Sequence, residues 1–348
     1  MCFEELVTRD LPWLAGTGPS AEIVVSSRIR LARNLQNRRF THHASRAELQ
    51  DIQQEVVERV MVQPSFTGGW ALTLSDCSPR QRKYLLERHL VSPDLIRQHR
   101  LRSLLLSPGL DQVVMVNEED HLRIQLFRSG FDPIAACGDS LALDNELEAV
   151  LDFAFNEDFG YLTSCPTNVG TGFRLSVLIH LPGLVLAGQI EKILNSLRQL
   201  RFTVRGLFGE GSAVRGAMFQ VSNLGTLGKS EESLAADFAH HIAKVIQYEN
   251  SAREKLHDKD RFGVSDMVHR SLGVLRNAYL ITSQEAFDRL SHVRMGVSLG
   301  ILPSLHMALL NRALVDMQTA HIQIRAGRRI EGRERSALRA QYLRELLS

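Results

Sequence analysis

The fold class this sequence predicts is α+β: strands and helices mixed over the first two thirds, helices alone thereafter. Three observations predict it. Short apolar runs of strand character recur up to residue 223, among them 22–25, 69–74, 175–181 and 217–223. Two more, 112–116 and 122–126, face each other across residues 117–121 as a hairpin. Beyond Gly228 nearly every apolar residue follows a helical period. The implied division is a lead-in over 1–21, a sheet-bearing domain over 22–250 and an all-helical domain over 251–348.

In order, the lead-in holds one short amphipathic piece around Leu6 to Leu14. The strand at 22–25 runs into Ser26-Ser27-Arg28-Ile29-Arg30, where alternation puts Arg28 and Arg30 on one side of an extended chain. Two guanidinium groups side by side repel unless an anion or carboxylates lie between them; the alternative is that both point into water. Helical spacing covers 46–62, and a second helix over 79–90 carries His89 near its end. Between the hairpin strands stand three consecutive acids, Glu118, Glu119 and Asp120. They form either a solvated acidic turn or a clamp for a cation or guanidinium, with Arg123 starting the outgoing strand.

A helix is predicted over 144–155, and a strand at 161–164 leads into Cys165-Pro166-Thr167-Asn168-Val169-Gly170-Thr171-Gly172-Phe173-Arg174. A strand–turn–strand of this kind exposes backbone N–H groups and a cation at a sheet rim, which suits an anion; glycines, proline and asparagine also make ordinary turns. After a helix over 190–200, Thr203-Val204-Arg205 enters Gly206-Leu207-Phe208-Gly209-Glu210-Gly211, glycine spacing that supports a loop able to close over a ligand. It matches neither a P-loop nor a dinucleotide fingerprint. Helices follow over 234–248, 264–280 and 285–297, the last opened by Thr282 and Glu285; Pro303 starts another, and 333–347 is the final one.

Composition is that of an ordinary soluble globular chain: 348 residues, 44% hydrophobic, net charge +2. Near-neutral balance argues against a dedicated nucleic-acid binder, while the excess of Arg over Lys is compatible with phosphate or carboxylate recognition or with genomic bias. No signal-peptide pattern and no bilayer-length apolar run is present, so no membrane partner is expected. Cys2, Cys77, Cys137 and Cys165 are far apart without a CxxC, which predicts no zinc site and a reducing, cytoplasmic compartment.

The segments SSRIR at 26–30, NEEDHLR at 117–123, CPTNVGTGFR at 165–174 and RGLFGE at 205–210, in that order, resemble the ATP:guanido phosphotransferases, the family of creatine and arginine kinases. Within it the chain looks most like the bacterial protein-arginine kinase branch: only 25 residues precede Ser26, and the helical domain follows the catalytic one. The resemblance implies a catalytic domain with a large antiparallel sheet flanked by helices, and transfer of the γ-phosphoryl group of ATP, with Mg²⁺ held mainly through the nucleotide phosphates, to arginine side chains of proteins. Arg28, Arg30, Arg123, Arg174 and Arg205 match phosphate-binding arginines. Ser26, Ser27, Ile29, His89, the segment Leu175, Ser176, Val177, Leu178, and the loop Gly206, Leu207, Phe208, Gly209, Glu210 match the nucleotide site. Leu178 departs from a His that phosphagen kinases often place near the adenine.

Glu119 matches the principal base, Glu210 the second carboxylate holding the guanidinium, and Cys165 the reactive cysteine beside it. Among arginines that thiol is expected to be more thiolate than a free cysteine. In the last helix Arg335, Ser336, Arg339 and Ala340 resemble a phosphoarginine-reading pocket, with Ser336 in place of the usual Asp; a solvated Arg-rich helix is the alternative. The resemblance also implies repressor and misfolded-protein substrates marked for regulation or degradation, a zinc-binding activator, a protease chaperone, a homodimer, and allosteric control in stress. Two other functions fit the same residues: a kinase for a free guanidino compound, and a phosphoarginine-binding adaptor without catalysis.

Overall fold

The computed structural model describes residues 3–206 and 215–348. Ten strands fall among them: β1 Val24–Arg33, β2 Trp70–Thr73, β3 Ser103–Leu106, β4 Gln112–Val116, β5 Leu122–Ser129, β6 Phe155–Asn156, β7 Gly160–Tyr161, β8 Phe173–His180, β9 Phe202–Arg205 and β10 Met218–Asn223. Eight of them form one sheet in the order β2-β3-β4-β5-β1-β8-β10-β9, every pairing antiparallel. The two short strands β6 and β7 pair by themselves.

The sheet has two different faces, because side chains alternate along each strand. On one face Ile29, Leu31, Ile124, Leu126, Leu175, Val177 and Val221 join a core with the helices laid over it. Those helices are α2 (Arg46–Val60), α5 (Pro133–Glu148), α7 (Ile190–Gln199) and the long α8 (Glu231–Lys259). The other face carries Arg28, Arg30, Arg123, Arg174 and Arg205. Its margin is covered by the lead-in helix α1 (Phe3–Thr8), the turn Pro12–Leu14, α3 (Pro79–Glu87), α4 (Pro93–Arg97) and the C-terminal helices, which share a second core with Val25, Phe127, Leu178 and Met218.

Helices α2, α3 and α4 start at serine caps, Ser45, Ser78 and Ser92, the first two being full capping boxes with Glu48 and Gln81. The hairpin and the 46–62 and 190–200 helices lie where the sequence puts them. The helix predicted over 144–155 instead runs Pro133–Glu148. Proline at its first turn and the run Ala135-Ala136-Cys137-Gly138, which carries little apolar periodicity, hid its start. The strand expected at 161–164 shrinks to Gly160–Tyr161. Pro303 lies in a turn ahead of α11 (Met307–Asp316), which His306 precedes.

The remaining elements are α6 (Pro182–Leu186), α9 (Arg261–Asn277), α10 (Ser283–Ser298), α12 (Thr319–Arg325) and α13 (Gly332–Leu347). A division at residue 250 falls inside α8; the chain breaks between helices at Asp260, which ends α8 and caps α9 through Gly263 N. A buried network joins the sheet to the C-terminal helices there. Arg253 pairs with Glu249 at 2.6 Å, reaches the His180 carbonyl at 3.0 Å and Ser298 Oγ at 2.8 Å, and Glu249 accepts from the amides of Gly183 and Leu184.

Candidate active site

Register decides which side chains meet. Arg30 of β1 stands directly opposite Arg174 of β8 and Gln125 of β5, and Arg28 opposite Ser176 and Phe127. Arg205 of β9 lies across from Gln220, which lies across from Leu178. Four strands therefore deliver five arginines to one face. Like charges set opposite each other destabilise a sheet. Burial first, then Arg123, Arg174 and Arg205, pulls the Arg28 guanidinium down to about 9. Burial and the neighbouring Arg28, Arg123 and Arg174 hold Arg30 well below the ordinary arginine value. Arg30 is 9% exposed, and its Nε and one Nη have no hydrogen-bond partner among the described residues. Buried donors left unsatisfied cost free energy unless something supplies acceptors.

One acid inside the protein partly balances the cluster, and it is not the one the sequence singled out. Glu118, 3% exposed, takes Arg123 Nη1 at 2.7 Å, the Ser92 hydroxyl, and the amide of Glu119 at 3.0 Å. Burial works against its charge, but Arg123, Ser92 and that amide overcome it and bring the carboxyl down to about 2. Asp120 is also buried, accepting from Asn34 Nδ2 at 2.7 Å and Ser164 N at 2.6 Å. His121 Nδ1 accepts from Leu35 N at 3.0 Å, which leaves its proton on Nε2 for the Arg39 carbonyl at 2.8 Å. The acidic turn is thus nailed down on both sides, and Glu119 alone projects into solvent. Desolvation and then Asp120 and Glu118 raise its carboxyl above the ordinary value, while Arg123 and a hydrogen bond with Cys165 work the other way.

That contact brings Glu119 and Cys165 together. The Cys165 thiol also lies 3.0 Å from Thr167 Oγ1. The loop behind it is closed by two glycines. Gly170 (φ +105°) and Gly172 (φ +62°) sit where a Cβ would come within 2.5 Å of the Thr226 carbonyl and 2.6 Å of the Ala32 carbonyl. Thr226 Oγ1 fastens the same loop, donating to the carbonyl of Val169 at 2.7 Å.

Beside the arginines, Trp13, Ser26, His89, Phe127, Ser176, Leu178 and Gln220 line a cleft with Arg28. Trp13 stacks on Phe127 with centroids 5.9 Å apart and meets His89 edge-on at 5.4 Å. His89 adopts φ +60°, its carbonyl held by Gln125 Nε2 at 2.9 Å, and burial together with Arg28 lowers its ring to about 3. Trp13, Gln125, Phe127 and Gln220 were not among the sequence-derived candidates. Alternation along β5 from Arg123 could have found Gln125 and Phe127; nothing in sequence signals Trp13.

Four candidates turn their side chains away from the arginine face. Ser27, Ile29, Leu175 and Val177 are odd-numbered positions of the same strands and point to the opposite face. Ile29, Leu175 and Val177 are core, and Ser27 Oγ donates to the Gly130 carbonyl at 2.9 Å. Gly206 is described and buried; Leu207, Phe208, Gly209 and Glu210 lie outside the described residues. In α13, Arg339 is 2% exposed and donates to the carbonyls of Met317 at 2.8 Å and Ile281 at 3.1 Å, with Ala340 buried beside it and Arg335 and Ser336 half-buried. Burial and Arg335 lower Arg339 to about 10 against the opposing Glu87.

An eight-stranded antiparallel sheet with an arginine face and an acid at its edge is the frame of a guanidino kinase. A family model of the ATP:guanido phosphotransferase C-terminal catalytic domain matches residues 51–252, and the chain belongs to that family. Within it the chain falls among the protein-arginine kinases: residues 261–348 match the protein-arginine kinase McsB C-terminal domain. A protein-arginine kinase of Symbiobacterium thermophilum is 43% identical over 352 residues, spanning 100% of both chains. One from Bacillus subtilis is 41% identical over 337 residues, 96% of this chain and 93% of that one. Among solved structures, the duplicated taurocyamine kinase from Schistosoma mansoni with bound transition state analog components superposes with TM-score 0.61 and 25% identity, covering 72% of this chain and 36% of that one. A lombricine kinase shares the fold with TM-score 0.58 and 23% identity, covering 70% and 72%.

Proposed function

We propose that the chain transfers the γ-phosphoryl group of Mg-ATP to arginine side chains of proteins. The observation that carries this is the single sheet face on which Arg28, Arg30, Arg123, Arg174 and Arg205 converge, with Glu119 and Cys165 at its edge. Unsatisfied buried guanidinium donors on Arg30 fit phosphate oxygens, which accept two parallel N–H bonds. Bound Mg-ATP supplies the phosphoryl group and a divalent charge. The arginines hold the phosphates and stabilise charge that grows on their oxygens; positioning and electrostatics carry most of the rate in such transfers. Trp13, Phe127, Leu178 and His89 form the apolar wall that takes the base.

Glu119 accepts N–H bonds from the incoming guanidinium, orients it, and takes the proton that its nitrogen loses as the N–P bond forms and ADP leaves. A carboxyl raised above its ordinary value is, once ionised, the stronger base. Glu210 supplies the second carboxylate in this reading, and Cys165 shapes the guanidinium pocket beside Glu119. The substrates are repressors and misfolded proteins so marked for regulation or degradation in stress, in the cytoplasm. In the same reading residues 261–348, which match the protein-arginine kinase C-terminal domain, form a regulatory unit that dimerises, answers a zinc-binding activator and a protease chaperone, and reads phosphoarginine near Arg335, Ser336, Arg339 and Ala340.

The test is incubation with ATP and an unrelated basic protein, with free arginine offered in parallel. Acid-labile phosphate on protein arginine is expected, lost by a factor on the order of 10²–10⁴ in Glu119→Ala with ATP binding retained. Phosphorylation of free arginine alone, or full activity in Glu119→Ala, overturns the assignment.

A further inference from the structure

The chain contains six lysines, at 83, 192, 229, 244, 255 and 259, against a large excess of arginine. Four of the six, Lys192, Lys244, Lys255 and Lys259, line one groove of about 970 Å³ between α7 and α8. It lies on the helical layer that covers the sheet face opposite the arginines, away from the cleft. No carboxylate lines it, and none of the four lysines has an ion-pair partner among the described residues; Lys229 alone of the six is paired, with Asp237. Between the lysines the wall is apolar. Tyr248 is 54% exposed and Leu200 48% exposed, both within the groove.

Spacing turns these residues into a stripe. Lys244, Tyr248, Lys255 and Lys259 recur at intervals of four, seven and four along α8, one side of a helix. With His241 at its start the stripe is about 27 Å long at the rise of an α-helix, the length of a partner helix of roughly 18 residues. Uncompensated positive charge around exposed apolar surface is a liability for a soluble chain unless a complementary partner covers it.

We propose that this α7–α8 groove docks an acidic amphipathic helix of a partner protein, its apolar face against Tyr248 and Leu200 and its carboxylates against the four lysines. Helix-in-groove recognition needs both elements, an apolar seam and matched flanking charge. Lysine has a further merit that does rest on the kinase reading: it carries the charge without offering the enzyme a guanidinium to phosphorylate. The binding itself does not depend on that reading.

The probe is a fluorescein-labelled designed helix of about 18 residues, with Leu at i, i+3, i+4 and i+7 and Glu on its flanks. Its controls are a scrambled peptide of the same composition and a version with Lys for Glu. Anisotropy against the full chain should show saturable, salt-sensitive binding of the acidic helix only. Lys244→Glu/Lys255→Glu/Lys259→Glu should weaken it about tenfold or more and gain affinity for the Lys-bearing helix, with kinase activity unchanged. Tyr248→Ala should weaken binding of the acidic helix without the charge switch. Equal binding of the scrambled peptide, or an unaltered triple variant, overturns the proposal. So does competition by phosphatidylserine vesicles or duplex DNA that matches the peptide's own, since the groove would then serve a membrane or a nucleic acid.

Discussion

Replacing Arg30 by Met separates what the arginine face costs the fold from what it gives the ligand. Met keeps the length of the arginine stem but removes a nearly buried guanidinium whose Nε and one Nη are unpartnered and whose neighbours Arg28, Arg123 and Arg174 repel it. Removing an uncompensated buried charge in favour of an apolar side chain should stabilise the ligand-free protein by about 2 kcal/mol, a Tm rise on the order of 5 °C for a domain of this size. The same change deletes charge-assisted bonds to phosphate worth about 2 kcal/mol, so ATP should bind roughly 30-fold more weakly. At an ATP concentration about 100 times the wild-type Kd, ligand binding adds about 2.7 kcal/mol to the wild type and under ~1 kcal/mol to the variant. Thermal unfolding with and without Mg-ATP therefore has a distinctive outcome: Arg30→Met melts higher alone, and the gap closes when nucleotide is added. A variant that melts lower alone and shows the wild-type nucleotide shift would refute the reasoning, because the guanidinium would then be a satisfied structural group.

Two further outcomes follow from the acids. Glu118 titrates near 2 in the folded protein against an ordinary 4.5, so its contribution is complete above the ordinary value and disappears as pH falls through about 2. Glu118→Gln should cost about 3 kcal/mol in urea unfolding at pH 7 and almost nothing at pH 2; a pH-independent difference would contradict the Arg123 pairing. At the junction with the C-terminal helices, Glu249→Gln leaves the buried Arg253 without its 2.6 Å partner and should cost about 3–5 kcal/mol, with proteolysis near Asp260 appearing earlier. Unchanged Tm and unchanged cleavage would show that the network is incidental.

Legibility in the sequence tracked the range of the interaction responsible. Arg28 and Arg30 share a face because β1 is extended, a consequence of period two that needs no partner strand. The same rule places the side chains of Ser27, Ile29, Leu175 and Val177, which the family resemblance includes as a contiguous block, on the opposite face. The acidic turn is, as a unit, neither a solvated loop nor a clamp. Glu118 is consumed by Arg123, five residues on, and by the remote Ser92, Asp120 by the remote Asn34 and Ser164, and of the three acids Glu119 alone is exposed.

By itself, then, the sequence determined the mixed strand-and-helix class with most of its longer elements, the shared side of neighbouring arginines, and the family to which four ordered segments point. All of these rest on local periodicity or on residues adjacent in the chain. Tertiary structure alone decided that Arg174 stands against Arg30, that Trp13 from the lead-in walls the cleft, that Glu118 anchors Arg123, and that four scattered lysines share one groove. These depend on register and packing, for the most part between segments far apart in sequence, where no local pattern carries the information.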